Sequence, residues 1–379
     1  MADDHELSRA WARARARANL LPRPGATRRL EQPLDQRVTG TRAGILVAIL
    51  IRMPTSLGGA TSATKHRPDS DSLLLLGRML QQLSYQFTTV TPATHQLVNA
   101  RPSNRVAASL RDVFGWSRPF EPGVLPTELF QVMRSAGACE PVAGTGRWRP
   151  LIRFSTLNGL LLAHSAFPTI EQDAVFFGPD SYRFVRAIEA HSLAATRIVD
   201  VGCGSGVGGI ALAKTGTGVA PVVLADINHG ALRLAQVNAQ LAFVRAETVH
   251  SDILQGVRGE FDLVIANPPY LRDESQRVYR DGGGEHGEGL AVRIVRESID
   301  RLSAMRMGGQ LLLYTGAAIV DGEDTFLRSA RCELNRPGIR YSYDELDPDV
   351  FAEELERPAY AGVERIAAVL LRVQVTRAN

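Results

Sequence analysis

From residue 197 onward, apolar positions fall in two alternating rhythms. Short strand-like blocks recur at 197–201, 221–226, 247–252, 261–266 and 310–315, several of them β-branched runs of the kind found in strands covered on both faces. Between them, 208–214, 230–242 and 290–301 carry helical spacing, and in the last of these Ala291, Val295, Ile299 and Leu302 share one face. Strands alternating with helices predict a parallel sheet with helices on both sides. A late apolar block, 365–375, predicts a further strand in the centre of the sheet or next to it.

The pattern ahead of this is different. Asp71-Ser72 is placed to cap a helix over Leu73, Leu76, Leu80 and Leu83. A second helix fits 105–114, and a third is punctuated by Pro126 at its start, Glu128 in its first turn and Gly137 after its end. The apolar runs 150–154 and 160–163 flank Asn158-Gly159, a two-residue turn signal, and predict a β-hairpin. Residues 1–69 hold no sustained period and include the alternating stretch Ala12-Arg13-Ala14-Arg15-Ala16-Arg17. They are expected to be a disordered extension, or sequence upstream of a true start at Met53; a basic arm that grips RNA is the alternative. The predicted division is an extension (1–69), a small helical domain (70–147), a hairpin linker (148–168) and an α/β domain (169–379).

Composition adds little to this. The 379 residues are 45% apolar and 22% charged with a net charge of +3, which is ordinary for a globular protein and gives no general sign of a polyanion partner. Residues 1–69 hold twelve Lys+Arg against six Asp+Glu, leaving the remainder slightly acidic. Cys139, Cys203 and Cys332 are too scattered for a metal cluster or a disulfide framework, so no metal is expected and a reducing compartment fits. The longest apolar run, 44–51, is far short of the roughly 20 residues of a membrane span and lies too far from the N-terminus for a signal peptide. No membrane partner is expected, and the cytoplasm is the expected compartment.

The first chemical motif is Val199-Asp200-Val201-Gly202-Cys203-Gly204-Ser205-Gly206, a β-branched strand running into a glycine-rich turn where backbone approaches a ligand closely. Gly204 to Gly209 also fits the G-x-G-x-x-G dinucleotide pattern, with Asp226 at a suitable distance, so an NAD-binding oxidoreductase is one reading. Two features favour S-adenosylmethionine. Asp200 precedes the first glycine by two residues, where a carboxylate meets an ammonium group. Asp226 ends the second strand, where an acceptor-only carboxylate suits a ribose diol, and Asp252 in Ser251-Asp252-Ile253 is placed to accept from an adenine amino group. Three successive strands ending in carboxylates line the carboxyl edge, where open α/β sheets bind ligands.

The decisive motif follows the fourth strand: Asn267-Pro268-Pro269-Tyr270. An amide or nucleobase amino nitrogen is a poor nucleophile because its lone pair is delocalised. Hydrogen bonds from its NH₂ to the Asn267 side-chain oxygen and the Pro268 carbonyl would hold it and favour a pyramidal nitrogen, and Tyr270 would stack on the planar group. Orientation, without a strong base, supplies the catalysis.

With these motifs the chain resembles the class I S-adenosylmethionine-dependent methyltransferases that carry an N-P-P-Y loop and, among them, the release-factor N5-glutamine methyltransferases. The resemblance covers roughly 170–375 and is strongest in Asp200 to Gly206, in Ala225-Asp226-Ile227-Asn228 with Ala231-Leu232 and Asn238-Ala239, and in Asn267 to Tyr270. Asp281-Gly282-Gly283-Gly284 through Leu290 is similar to the family's loop after that motif. Where the family has an Arg-Pro-Glu-Thr type segment, this chain has Gly178-Pro179-Asp180-Ser181. The resemblance implies a Rossmann-like seven-stranded sheet with a smaller helical N-terminal domain that helps hold the substrate. It implies cofactor binding by Asp200, Gly202, Cys203, Gly204, Gly206, Asp226, Ile227, Asp252, Ile253 and Asn267, and catalysis by Asn267, Pro268 and Tyr270. The expected acceptor is a glutamine side-chain amide in a protein such as a release factor. Alternatives are an exocyclic amine of a nucleobase in ribosomal RNA, a small molecule, and, outside this class, the NAD-binding oxidoreductase or a catalytically silent binding module.

Overall fold

A computed structural model describes residues 69–191, 195–215 and 220–376. The expectations for the basic stretch and for Met53 lie outside the described residues. The first helix, α1 (Ser70–Gln82), is capped by Asp69, whose carboxylate accepts from the Ser72 N–H at 3.0 Å, two residues before the predicted Asp71. Leu73, Leu76 and Leu80 are buried as their spacing predicts, while Leu83 falls at the helix end and is exposed.

A short helix that the pattern does not advertise, α2 (Pro92–Asn99), starts at Thr91 and buries only His95. Of the predicted helix 105–114, only the last turn forms, as α3 (Leu110–Phe114) capped by Ser109. Ser109 accepts from the Asp112 N–H through its side chain, and that local bond starts the helix there and not earlier. Helix α4 (Thr127–Ser135) follows its Pro126 punctuation, with Gly137 just beyond at φ 62°. Two hairpins come next: β1 (Cys139–Val142) with β2 (Arg147–Pro150), which is not predicted, and β3 (Ile152–Leu157) with β4 (Leu160–Ser165), which is. Asn158 and Gly159 adopt φ 48° and 78°, as the tight turn requires.

Then come α5 (Pro179–His191), β5 (Ile198–Val201), α6 (Val207–Thr215), β6 (Val222–Asp226), α7 (His229–Leu241), β7 (Ala246–His250), β8 (Leu263–Ala266), α8 (Gly289–Ser303), β9 (Gly309–Val320), the two-residue β10 (Glu323–Asp324), α9 (Thr325–Leu334), β11 (Ile339–Asp347) and β12 (Val363–Val375). Seven strands form a Rossmann-like sheet in the order β11-β12-β9-β8-β5-β6-β7, with β10 pairing on the end of β9. The run β9-β8-β5-β6-β7 is parallel and β12 is antiparallel to both its neighbours. The order reverses between β5 and β8, which opens a crevice at their carboxyl ends.

Successive residues of each inner strand enter separate cores on the two faces. Ile198, Leu224, Ile265 and Leu312 lie on one side, and Val199, Val223, Val264 and Leu313 on the other. Strand β12 is not central or next to central: it is second from the edge. It reads as a central strand because both of its faces are buried, and burial does not report rank in the sheet. The true edge, β11, is half-exposed and rich in charge, so no apolar rhythm marks it.

The N-terminal helices rest on α7. Leu73, Leu76, Leu234, Val237 and Leu241 share one core, and a side chain at Gly77 would press on Leu241. Buried Asn238 of α7 accepts from the Ala163 N–H at 2.7 Å and donates to the carbonyls of Ala163 and Ser205, both at 2.9 Å. One amide thus ties the β3–β4 hairpin to the glycine-rich turn after β5. Among the described residues no helix is long and apolar enough to cross a membrane.

Candidate active site

Strand β5 delivers Asp200, and the chain then reverses through Gly202, Gly204 and Gly206 at φ 63°, 53° and 76°. At Gly202 and Gly204 a Cβ would meet open space, so the backbone conformation and a free path to the loop are what glycine provides. Gly206 faces inward, and a Cβ there would come within 3.1 Å of Ala235 and Ile210. Asp200 is buried and accepts from the Gly209 N–H at 2.8 Å; burial pushes its carboxyl up to about 7. Asp226 accepts from Gly204 N–H on one oxygen, at 2.9 Å, and from Asn228 N–H on the other, at 2.8 Å. Burial raises its pKa while these backbone donors oppose the rise. Each oxygen keeps a further lone pair for a ligand. Beyond β7, Asp252 accepts from Arg293 of α8 at 3.0 Å.

These turns meet at one cavity of ≈ 340 Å³ along the carboxyl edge of four neighbouring strands. Asp252 and Ile253 stand at its β7 end, Asp226 and Ile227 follow, then Asp200 and Gly202 to Gly204, and Asn267, Pro268 and Tyr270 at the β8 end. Every residue singled out from the sequence lines it except Gly206, whose part is to let α6 pack against α7 and the sheet. The wall fits S-adenosylmethionine in its chemistry. Asp226 retains acceptor capacity, Ile227 and Ile253 offer apolar surface, and Asp200 adds a second carboxylate to the wall. The volume lies in the range of small-molecule sites.

The site also holds residues that the sequence does not single out. The Tyr270 hydroxyl donates to Asp180 at 2.5 Å, and the Tyr314 hydroxyl donates to the other oxygen of Asp180 at 3.0 Å, where Arg183 also donates at 3.1 Å. Asp180 is buried in the first turn of α5, and its pKa is raised by burial against the pull of these donors. Under the Tyr270 ring lies Gly316 of β9, where any Cβ would collide with the ring. Tyr270 is thus pinned at both its hydroxyl and its ring. The one signal for Asp180 in the sequence is its place after Pro179 at the segment that departs from the family pattern.

After Tyr270 the chain runs through a loop to α8. Arg277 donates to Asp273 at 2.5 Å and holds that carboxyl down at about 2. Arg280 pairs with buried Glu354. The half-buried rings of Phe176 and Tyr279 lie parallel within 10° at the cavity rim, with centroids 6.2 Å apart.

The methyltransferase small domain family matches residues 179–313, from α5 into β9. The chain is 33% identical over 125 residues to the release factor glutamine methyltransferase of Deinococcus radiodurans, covering 31% of this chain and 44% of that one. It is 29% identical over 119 residues to the protein of the same name from Borreliella burgdorferi, covering 28% and 41%. It is also similar, at 34% identity over 84 residues, to ribosomal RNA small subunit methyltransferase C of Haemophilus influenzae, covering 22% and 25%. The chain spans less than half the length of each of these relatives. The residues that match this family, 179–313, carry Asp200, Asp226, Asp252 and Asn267 of the cavity wall, and what they are similar to is a methyltransferase.

Proposed function

We propose that the chain is an N-methyltransferase whose acceptor is a planar nitrogen, the side-chain amide of a glutamine in a protein such as a release factor. The observation that carries this reading is the position of Asn267-Pro268 at the carboxyl end of β8, beside the β5 turn and on the same cavity wall. Bound there, S-adenosylmethionine supplies an electrophilic methyl group on a sulfonium. The chain supplies orientation. The Asn267 side-chain oxygen and the Pro268 carbonyl accept from the two N–H groups of the acceptor and turn its nitrogen lone pair toward the methyl group. Tyr270 holds the loop in that position through Asp180. The nitrogen sheds one proton to solvent after transfer, so no strong base is required.

A glutamine amide is supported by the names of the release-factor relatives and by the closeness of the motifs to theirs. The N-terminal helices and hairpins, 70–168, serve as the part that holds the substrate; in support, Pro92 of α2 reaches the cavity wall. The similarity to an rRNA methyltransferase favours, as a second reading, the exocyclic amine of a nucleobase, which presents the same planar NH₂. The test is incubation of the protein with radiolabelled cofactor and a cell extract. Label in protein, released as N5-methylglutamine on digestion, supports the proposal. Label confined to RNA moves the acceptor to a nucleobase, and label only in small molecules rejects both.

A further inference from the structure

Beside Tyr270 the cavity is lined by a residue outside the family match. Between β11 and β12 the chain forms a loop, 348–362, with two short 3-10 turns, Ala352–Glu356 and Pro358–Tyr360. It is tied down on several sides. The Val350 N–H donates to the Ile366 carbonyl at 2.8 Å, the Arg272 N–H donates to the Tyr360 hydroxyl at 2.8 Å, and buried Glu354 pairs with Arg280. Two of these three ties run to the segment that directly follows Tyr270.

At the start of the first turn stands Phe351, at φ 58° and ψ 41°. The left-handed region crowds Cβ against the following carbonyl, and bulky residues are rare there. Its carbonyl accepts from the Glu354 N–H at 2.8 Å, which fixes the turn in that form. Glycine or asparagine would make this turn without strain. What the strained phenylalanine adds is its ring, half-buried, lining the cavity and set edge-on to Tyr270 with centroids 5.9 Å apart and planes at 67°. Strain held in place by surrounding ties is a mark of functional positions. Tyr270 itself is committed, its hydroxyl to Asp180 and its ring to Gly316.

We infer that Phe351 is the residue that selects the acceptor. Its ring forms the wall against which the flat NH₂-bearing group lies while Asn267 and Pro268 grip the nitrogen, so a planar amide or amine is favoured over a tetrahedral one. The inference rests on the N-methylation reading above and extends it to a residue that the motifs do not reach.

The test uses the full chain with two acceptor probes, purified release factor and purified small-subunit ribosomal RNA, and separates acceptor KM from cofactor Kd. Phe351→Ala should raise KM for the methylated probe about tenfold, the scale of an aromatic contact, with the Kd for S-adenosylhomocysteine unchanged. Phe351→Gly, which relieves the backbone, should melt no lower than Phe351→Ala and show the same raised KM. Phe351→Tyr should restore KM, and Phe351→Leu should not. Wild-type KM in the Ala, Gly or Leu variant overturns the role of Phe351 while leaving N-methylation standing. Failure of the wild-type protein to methylate either probe, with cofactor bound, overturns the functional reading and this inference together.

Discussion

Replacing Tyr270 with Phe removes a single oxygen from the centre of the site and leaves the ring in place. Asp180 accepts from three side chains, Tyr270, Tyr314 and Arg183, at 2.5, 3.0 and 3.1 Å. The substitution deletes the shortest of these bonds and creates no cavity beyond the lost hydroxyl. A hydrogen bond to a charged group contributes about 1.5–3 kcal/mol, and that is the expected loss of stability. At about 2.1 cal/mol/K of unfolding entropy per residue, a chain of 379 residues should melt roughly 2–4 °C lower.

The loss should also depend on pH. Asp180 has a folded pKa raised above its unfolded value by burial. Its contribution to stability is therefore fully present below the unfolded pKa and is lost as pH rises through the folded one. Removing a donor to the carboxylate raises the folded pKa further, so the deficit of Tyr270→Phe should be small in acid and grow toward neutral pH. The assay is thermal and urea unfolding of wild type, Tyr270→Phe, Asp180→Asn and the double variant, with single-turnover methyl transfer in parallel. The two single changes should be coupled, the double variant costing less than their sum. Transfer should slow while the Kd for S-adenosylhomocysteine holds. Unchanged melting and unchanged transfer in Tyr270→Phe would mean that Asp180 does not hold the loop from Asn267 to Tyr270 in place.

Two further outcomes follow from the carboxylates. Asp226→Ala should weaken S-adenosylhomocysteine binding by about 1–3 kcal/mol in calorimetry, because ribose hydroxyls and the Gly204 and Asn228 N–H groups lose their acceptor; normal binding would remove Asp226 from the ribose. Asp200, pushed up to about 7 by burial, is stabilised in its neutral form, so its contribution to the free fold is fully present below the unfolded value of 3.8 and is lost as pH rises through about 7. A ligand ammonium favours the carboxylate, so affinity for S-adenosylhomocysteine should fall as pH drops through about 7, and a flat profile would place the ammonium elsewhere.

The parts of the site legible in the sequence are those written locally. Asp200, Asp226, Asp252 and Asn267 each stand at the end of a strand-like block or just past it, and four neighbouring parallel strands bring those ends to one edge. The hairpin at Asn158-Gly159 is legible for the same reason, since two residues decide it. What escapes depends on partners far along the chain. Asp180 meets Tyr270 and Tyr314 at separations of 90 and 134 residues, and nothing near Asp180 announces either. Phe351 lies in a loop whose place is set by Arg272 and Arg280. Strand β11 is half-exposed and charged, so it lacks the rhythm that marks the inner strands, and β12 shows that rhythm without being central.

If Asn267 orients the acceptor nitrogen, Asn267→Ala should slow transfer without loosening the cofactor. Methyl transfer is measured in a single turnover at saturating cofactor, alongside the Kd for S-adenosylhomocysteine. Loss of a preorganised group that acts in the transition state costs roughly 10²–10³ in rate. Transfer should fall by that much in Asn267→Ala, with cofactor affinity close to wild type. Transfer at the wild-type rate would contradict that role of Asn267 and reduce Asn267-Pro268-Pro269-Tyr270 to a turn.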